Sequence, residues 1–110
     1  MNRSPLPFAL DLAQTGEGST RVRVRGELDL STSPALGETL DREITDGKSV
    51  VLDLSGVTFI DAKGLGTLIG ALRLCETNGG GFSVSRDLPA HVSRLFQITG
   101  LDALLPIATD

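Results

Sequence analysis

The sequence predicts an α/β domain on a mostly parallel mixed sheet, its elements ordered β-β-α-β-α-β-α-β and its first strand antiparallel. Three observations predict it. Two segments near the N-terminus alternate apolar and polar residues, with only a glycine-containing turn between them. A near-continuous apolar run stands at 49–54. Stripes of helical period then fall between further apolar segments, the pattern of parallel strands joined by right-handed crossovers.

Phe8, Leu10 and Leu12 alternate with Ala9, Asp11 and Ala13, a period of two that marks the first strand. QTGEGS at 14–19 is a turn with two glycines. TRVRVRG at 20–26 alternates again, with Val22 and Val24 on one face and Arg21, Arg23 and Arg25 on the other. So short a loop between two such strands makes an antiparallel hairpin. The arginines could form a nucleic-acid stripe, but the solvated face of a half-buried strand is the better reading.

GELDLSTSP at 26–34 is a loop that becomes a helix start, with Ser33 as N-cap and Pro34 as the first helical residue. Leu36, Leu40 and Ile44 recur every four residues, and Gly47 is placed to end the helix. SVVLDL at 49–54 reads as a central strand covered on both sides. Its exit leads through TFID to a second helix, where Leu65, Leu68, Ile69 and Leu72 fall at i, i+3, i+4 and i+7. Cys75 continues that stripe, which makes it a core cysteine rather than a nucleophile. The run 78–81, Asn then three glycines, stops the helix. FSVS at 82–85 is a short strand. Asp87 and Pro89 open a third helix with Val92, Leu95 and Phe96 inward, His91 at the surface and Gly100 as its stop. LLPIA at 104–108 forms a last strand, at an edge because of Pro106.

The totals narrow the function. A chain of 110 residues suits one domain, taken here as 1–110. With no Trp, no Tyr and four Phe, its core must be aliphatic. A net charge of −4 argues against sequence-independent nucleic-acid binding. One cysteine and one histidine allow neither an internal disulfide nor a Cys/His metal cluster. The N-terminus lacks a signal peptide's apolar core, broken by Pro5, Pro7 and Asp11, and no apolar stretch approaches membrane-spanning length. A cytoplasmic protein without membrane insertion is expected. No nucleophile–base pair stands out, so no catalytic residue, cofactor or metal is assigned and an enzyme is not expected.

Parallel neighbours place their C-terminal ends side by side, and functional loops of such sheets lie at that end. Asp29 and the segment Asp61–Gly66 should therefore share one surface. Asp61 is suited to cap the second helix by accepting from the amide of Lys63 or Gly64. Gly64 and Gly66 cost that helix roughly 1 kcal/mol each relative to alanine. They imply close approach by a backbone or a ligand, or simply room for Leu65 to pack. GLG is neither a phosphate loop nor a dinucleotide fingerprint.

GELDLST (26–32), VVLDLSGVTFIDAKGLGTLI (50–69), the glycine-rich helix end and VSRLFQITGL (92–101), in that order, resemble the STAS domain, and within it the bacterial anti-sigma factor antagonists. The similarity spans about residues 8–108. It implies a partner-switching protein. Such proteins bind an anti-sigma factor, often one with a histidine-kinase-like ATPase fold, and so free a sigma factor. The surface it implies comprises Asp29, Leu30, Ser31 and Thr32 after the second strand, with Asp61, Ala62, Lys63, Gly64, Leu65, Gly66 and Thr67 at the second helix. The family's binding aspartate falls on Asp29 and its motif aspartate on Asp61. The family usually carries two hydroxyl residues next, the second being phosphorylated by the anti-sigma factor. Here they are Ala62 and Lys63, so the phosphoacceptor is missing and a permanently binding-competent protein is expected.

Lys63 could also suit a more acidic partner or help hold an anion. Thr67, Ser55 and Thr58 are spare hydroxyls outside the family's acceptor position, with Ser55 read as part of a Ser-Gly turn. A STAS adaptor subunit of a stress-sensing, lipid-trafficking or transport assembly is the alternative. The absence of fused segments argues against a transporter tail but not against a separate subunit. A phosphorelay receiver, with Asp53 or Asp61 as acceptor, is the weaker rival: Asp11 has no acidic neighbour and no lysine follows residue 63.

Overall fold

A computed structural model describes residues 7–16 and 18–108. Residues 1–6, Glu17 and residues 109–110 lie outside it, and with them Pro5, one residue of the 14–19 turn and both ends of the 1–110 domain.

Strand β1 (Ala9–Gly16) pairs antiparallel with β2 (Ser19–Leu28), with Leu10 opposite Val24 and Leu12 opposite Val22. Both strands run further into the 14–19 segment than the glycines there suggest. Helix α1 (Ser33–Thr45) crosses to β3 (Ser49–Ile60), which is parallel to β2. Helix α2 (Ala62–Asn78) crosses to β4 (Phe82–Val84), parallel to β3. The sheet order is β1-β2-β3-β4, with β2 and β3 central. Helices α3 (Ala90–Thr99) and α4 (Leu101–Leu104) complete the chain. This is the mixed, mostly parallel α/β architecture that the alternation of strands and helices predicts.

Register explains the core. Val22 lies opposite Leu52, and Leu52 opposite Val84, so the three form a row on one face, each fully buried. The α1 stripe Leu36, Leu40 and Ile44 is fully buried too, as are Leu68 of α2 and Val92 of α3, with Phe96 almost so. Cys75 is buried, and burial pushes its thiol pKa up, which keeps it an unreactive core residue. Gly79 and Gly100 end α2 and α3 in the left-handed conformation.

Several boundaries differ from the sequence reading. β2 continues to Leu28, so Gly26, Glu27 and Leu28 are strand rather than loop. β3 continues past Leu54 to Ile60. The ladder shifts register twice, first between the pairs Arg23–Asp53 and Arg25–Gly56, then between Gly26–Val57 and Glu27–Phe59. Each shift inserts one residue of β3 and breaks the period of two, which hides the strand from a periodicity argument. Ser55 therefore belongs to a bulge, and Gly56 rejoins the ladder opposite Arg25, rather than forming a turn. The N-cap of α1 is Thr32 rather than Ser33. Ser33 is the first helical residue, buried, with its Oγ lacking a hydrogen-bond partner. Of Asp87 and Pro89, Pro89 stands at the start of α3 as its N-cap, and Asp87 lies two residues before it. The last strand reduces to a single parallel bridge between Ile107 and Val84. Leu101 and Leu105, four apart, are both buried and wind 101–104 into helix instead. Pro106 has no N–H to donate, but its carbonyl accepts from the Val84 amide at 2.8 Å.

The opposite row of the sheet is charged. Asp53, buried in β3, receives Arg21 at 3.5 Å and Arg23 at 3.7 Å, while Arg25 reaches Asp11 at 3.1 Å. Asp11, Ala13, Arg21, Arg23 and Asp53 line an open recess of about 360 Å³. At the far end of the sheet, buried Glu43 of α1 accepts from the Thr20 hydroxyl at 2.9 Å and has Lys48 at 3.8 Å. No helix of the described residues is long and apolar enough to cross a membrane.

Helix α2 is seated through Gly64. A Cβ there would stand 2.8 Å from the Leu28 carbonyl oxygen and 2.9 Å from Ile60 Cγ1. At Gly66 a Cβ would meet nothing within 4 Å. Close backbone approach thus explains Gly64 alone. Gly64→Ala is expected to destabilise by about 1–3 kcal/mol through overpacking, despite alanine's better helix propensity. Gly66→Ala is expected to stabilise by up to about 1 kcal/mol. Urea titrations of both variants check the contrast.

Asp53 gives a pH prediction. Desolvation raises its pKa, but the Ser55 hydroxyl and amide with the Arg23 and Arg21 guanidinium groups outweigh it, and the net shift is downward. A carboxyl held below its unfolded value stabilises the fold above about pH 4 and loses that contribution as pH falls through the folded value. Asp53→Asn is expected to lower the melting temperature at pH 7 and to flatten the loss of stability below about pH 4, as read by thermal melts across pH.

Candidate functional site

The site begins where β2 and β3 end. Leu28 pairs with Ile60, so the next residues, Asp29 and Asp61, leave the sheet side by side. The Asp61 amide donates to the Leu28 carbonyl at 3.2 Å, which carries the parallel ladder one bond beyond the strands.

Asp29 organises its own loop. Its Oδ1 accepts from the Ser31 amide at 3.0 Å, the Ser31 hydroxyl at 2.9 Å and the Thr32 amide at 3.2 Å, an Asx-type turn. The Thr32 hydroxyl accepts from the Asp29 amide at 2.9 Å and lies 2.8 Å from the Glu27 carbonyl and 3.2 Å from Asp29 Oδ1. It has one proton to give, and the shorter contact to Glu27 is the better bond. The Ser31 hydroxyl, ahead of an opposing desolvation and the Thr32 and Ser31 amides, holds the Asp29 carboxyl below the usual range. Backbone bonds from Thr32 and Ser33 to the Asp29 carbonyl close the turn into α1.

Asp61 joins that loop to α2. Its backbone is extended, and Oδ1 accepts from the Gly64 amide at 2.9 Å as the helix cap. Oδ2 accepts from the Leu30 amide of the other loop at 3.2 Å. One carboxylate thereby ties the β2–α1 loop to the first turn of α2. Sequence spacing brings the two aspartates to one end of the sheet, and the capping by Asp61 is as expected. The bond from Asp61 to Leu30 has no sequence signal, because it spans 31 residues.

The remaining residues of this surface divide by exposure. Leu30 is 70 % exposed, and Ser31, Ala62, Lys63 and Gly66 are exposed. Gly64 and Leu65 are buried, seating the helix. Thr67 is half-buried and donates its hydroxyl to the Lys63 carbonyl at 3.1 Å. Phe59, 48 % exposed two residues before Asp61, is an apolar surface residue that the sequence reading missed. The sole hint was an aromatic in a segment taken to be leaving the sheet. The arrangement offers an exposed leucine, a cation and two aspartates engaged as backbone acceptors.

Comparison with known proteins agrees with this architecture. A family profile described as Mlab, STAS domain, matches residues 12–106. The anti-sigma-B factor antagonist of Bacillus subtilis (strain 168) is 30 % identical over 92 residues, covering 84 % of each chain. That of Staphylococcus aureus (strain NCTC 8325 / PS 47) is 34 % identical over 87 residues, covering 78 % of this chain and 80 % of the relative. Among solved structures, an anti-sigma factor antagonist from Mycobacterium paratuberculosis aligns with a TM-score of 0.81 at 28 % identity, over 94 % of this chain and 87 % of that one. The unphosphorylated anti-sigma factor antagonist SpoIIAA aligns at 0.77 and 23 % identity, over 93 % and 90 %, and shares the fold. The chain belongs to the STAS domain family, among relatives that are anti-sigma factor antagonists.

Proposed function

We propose that this chain is an anti-sigma factor antagonist that binds a kinase-like anti-sigma factor through the β2–α1 loop and the start of α2, and so frees a sigma factor for transcription. It acts as a cytoplasmic binding protein rather than an enzyme. The observation that carries the reading is the Asp61 carboxylate, which bonds both Leu30 and Gly64 and makes one continuous surface of the two segments. The relatives named as anti-sigma factor antagonists supply the class of partner.

Position 63 sets this chain apart within that reading. In the first turn of α2, where the family's phosphorylated hydroxyl would stand, are Ala62 and Lys63. A phosphate brings a charge of about −1.5 to −2, whereas lysine brings +1. The chain therefore binds without that switch. The same missing hydroxyl also suits a second reading, an adaptor subunit of a stress-sensing, lipid-trafficking or transport assembly, where no kinase acts on it.

Purified kinase-like anti-sigma factors from the source organism, mixed with the chain and ATP, test both readings. Stable binding is expected, with no phosphate on residues 62–63 by mass spectrometry. A stoichiometric phosphate on Thr67, Ser55 or Thr58 that abolishes binding would sink the constitutive binder. Asp29→Lys removes the acceptor that shapes the Leu30 loop, and is expected to weaken binding tenfold or more while leaving the melting temperature nearly unchanged. Failure of every such anti-sigma factor to bind favours the adaptor.

A further inference from the structure

Both aspartates of this surface are engaged inside the molecule. Asp29 Oδ1 is surrounded by donors of Ser31 and Thr32, and the two oxygens of Asp61 are divided between Gly64 and Leu30. Through these bonds they shape the surface. What they present to solvent is Leu30 and Lys63. Among the described residues Lys63 has no ion pair, whereas the chain's other lysine, Lys48, faces Glu43.

Two physical consequences follow. The Leu30 backbone is held by its amide on Asp61 and by the turn that Asp29 builds, so burying the residue against a partner costs little additional backbone ordering. An apolar side chain presented on a fixed backbone in this way is suited to be an interface anchor. Lys63 stands at the positive end of its own helix dipole, which gives its charge no stabilisation from within. A carboxylate brought by a partner would supply it, and a partner with a lysine or arginine at that place would be repelled.

Resting on the reading that this surface binds a protein, we propose that the partner offers an apolar pocket for Leu30 with an aspartate or glutamate on its rim opposite Lys63. Lys63 then selects the partner by charge. It is a recognition residue in its own right, not merely a lost phosphoacceptor.

The test uses the full chain and the same panel of kinase-like anti-sigma factors, with carbodiimide as a zero-length crosslinker. Carbodiimide takes up the water lost as the Lys63 amine and a partner carboxylate form an amide. Expected are a Lys63 adduct to a partner aspartate or glutamate, and binding weakened about tenfold or more at low salt by Lys63→Glu and by Leu30→Ala. Lys63→Arg, which keeps the charge, should bind like the wild type and give no adduct at position 63. Changing the crosslinked carboxylate to lysine should restore binding to Lys63→Glu. Absence of the adduct, or tight binding by Lys63→Glu, overturns the proposal. If no anti-sigma factor binds the wild-type chain, the function proposed above falls and the same reaction is run in native lysate. A Lys63–carboxylate adduct that Leu30→Asp abolishes then keeps this inference, and its absence overturns it.

Discussion

The parallel ladder between β2 and β3 decides where everything else can sit. Two bulges let it continue to Leu28 and Ile60, well past the apolar run that marks β3 in the sequence. Only because both strands reach that far do Asp29 and Asp61 emerge together. Without the extension, the β2–α1 loop and the head of α2 would hang from strand ends of unequal height. The same ladder brings the Leu28 carbonyl against Gly64, so α2 starts in contact with the end of β2.

The two faces of this ladder have different chemistry. One row, through Val22, Leu52 and Val84, gives the core its dry packing. The other places Arg21 and Arg23 around Asp53, so a buried carboxylate is paired with guanidinium groups at the sheet surface. Paired this way, the arginines act as part of the sheet's own electrostatics rather than as an anion-collecting stripe. At the far end Glu43 ties α1 to Thr20 of β2. Polar contacts thus tie α1 to the far end of the sheet and the head of α2 to the near end, while the aliphatic residues between them supply most of the burial.

What was legible in the sequence follows from what periodicity can report. Leu36, Leu40 and Ile44, and Leu65 and Leu68, repeat at helical spacing and are buried. The glycines after α1, α2 and α3 also read correctly, because a positive φ is a local demand. The bulged half of β3 was not legible, since an inserted residue erases the alternation by which a strand is recognised. Nor was the identity of the α1 cap, because Thr32 and Ser33 are chemically similar candidates and the strand extension to Leu28, with the Thr32 hydroxyl bonded back to the Glu27 carbonyl, was itself not legible. The final strand failed because burial of Leu101 and Leu105 outweighed the extended tendency around Pro106. At the site, residue types and their common end of the sheet were readable. The bond from Asp61 to Leu30 and the exposure of Leu30 were not, as both depend on how distant segments meet.

Gly66 has an evolutionary consequence. It lies on the exposed first turns of α2 with no neighbour near enough to object to a side chain. Duplicated copies of such a chain can diverge there without disturbing the fold, one keeping the bare position and another gaining a methyl group that changes the outline of the helix start.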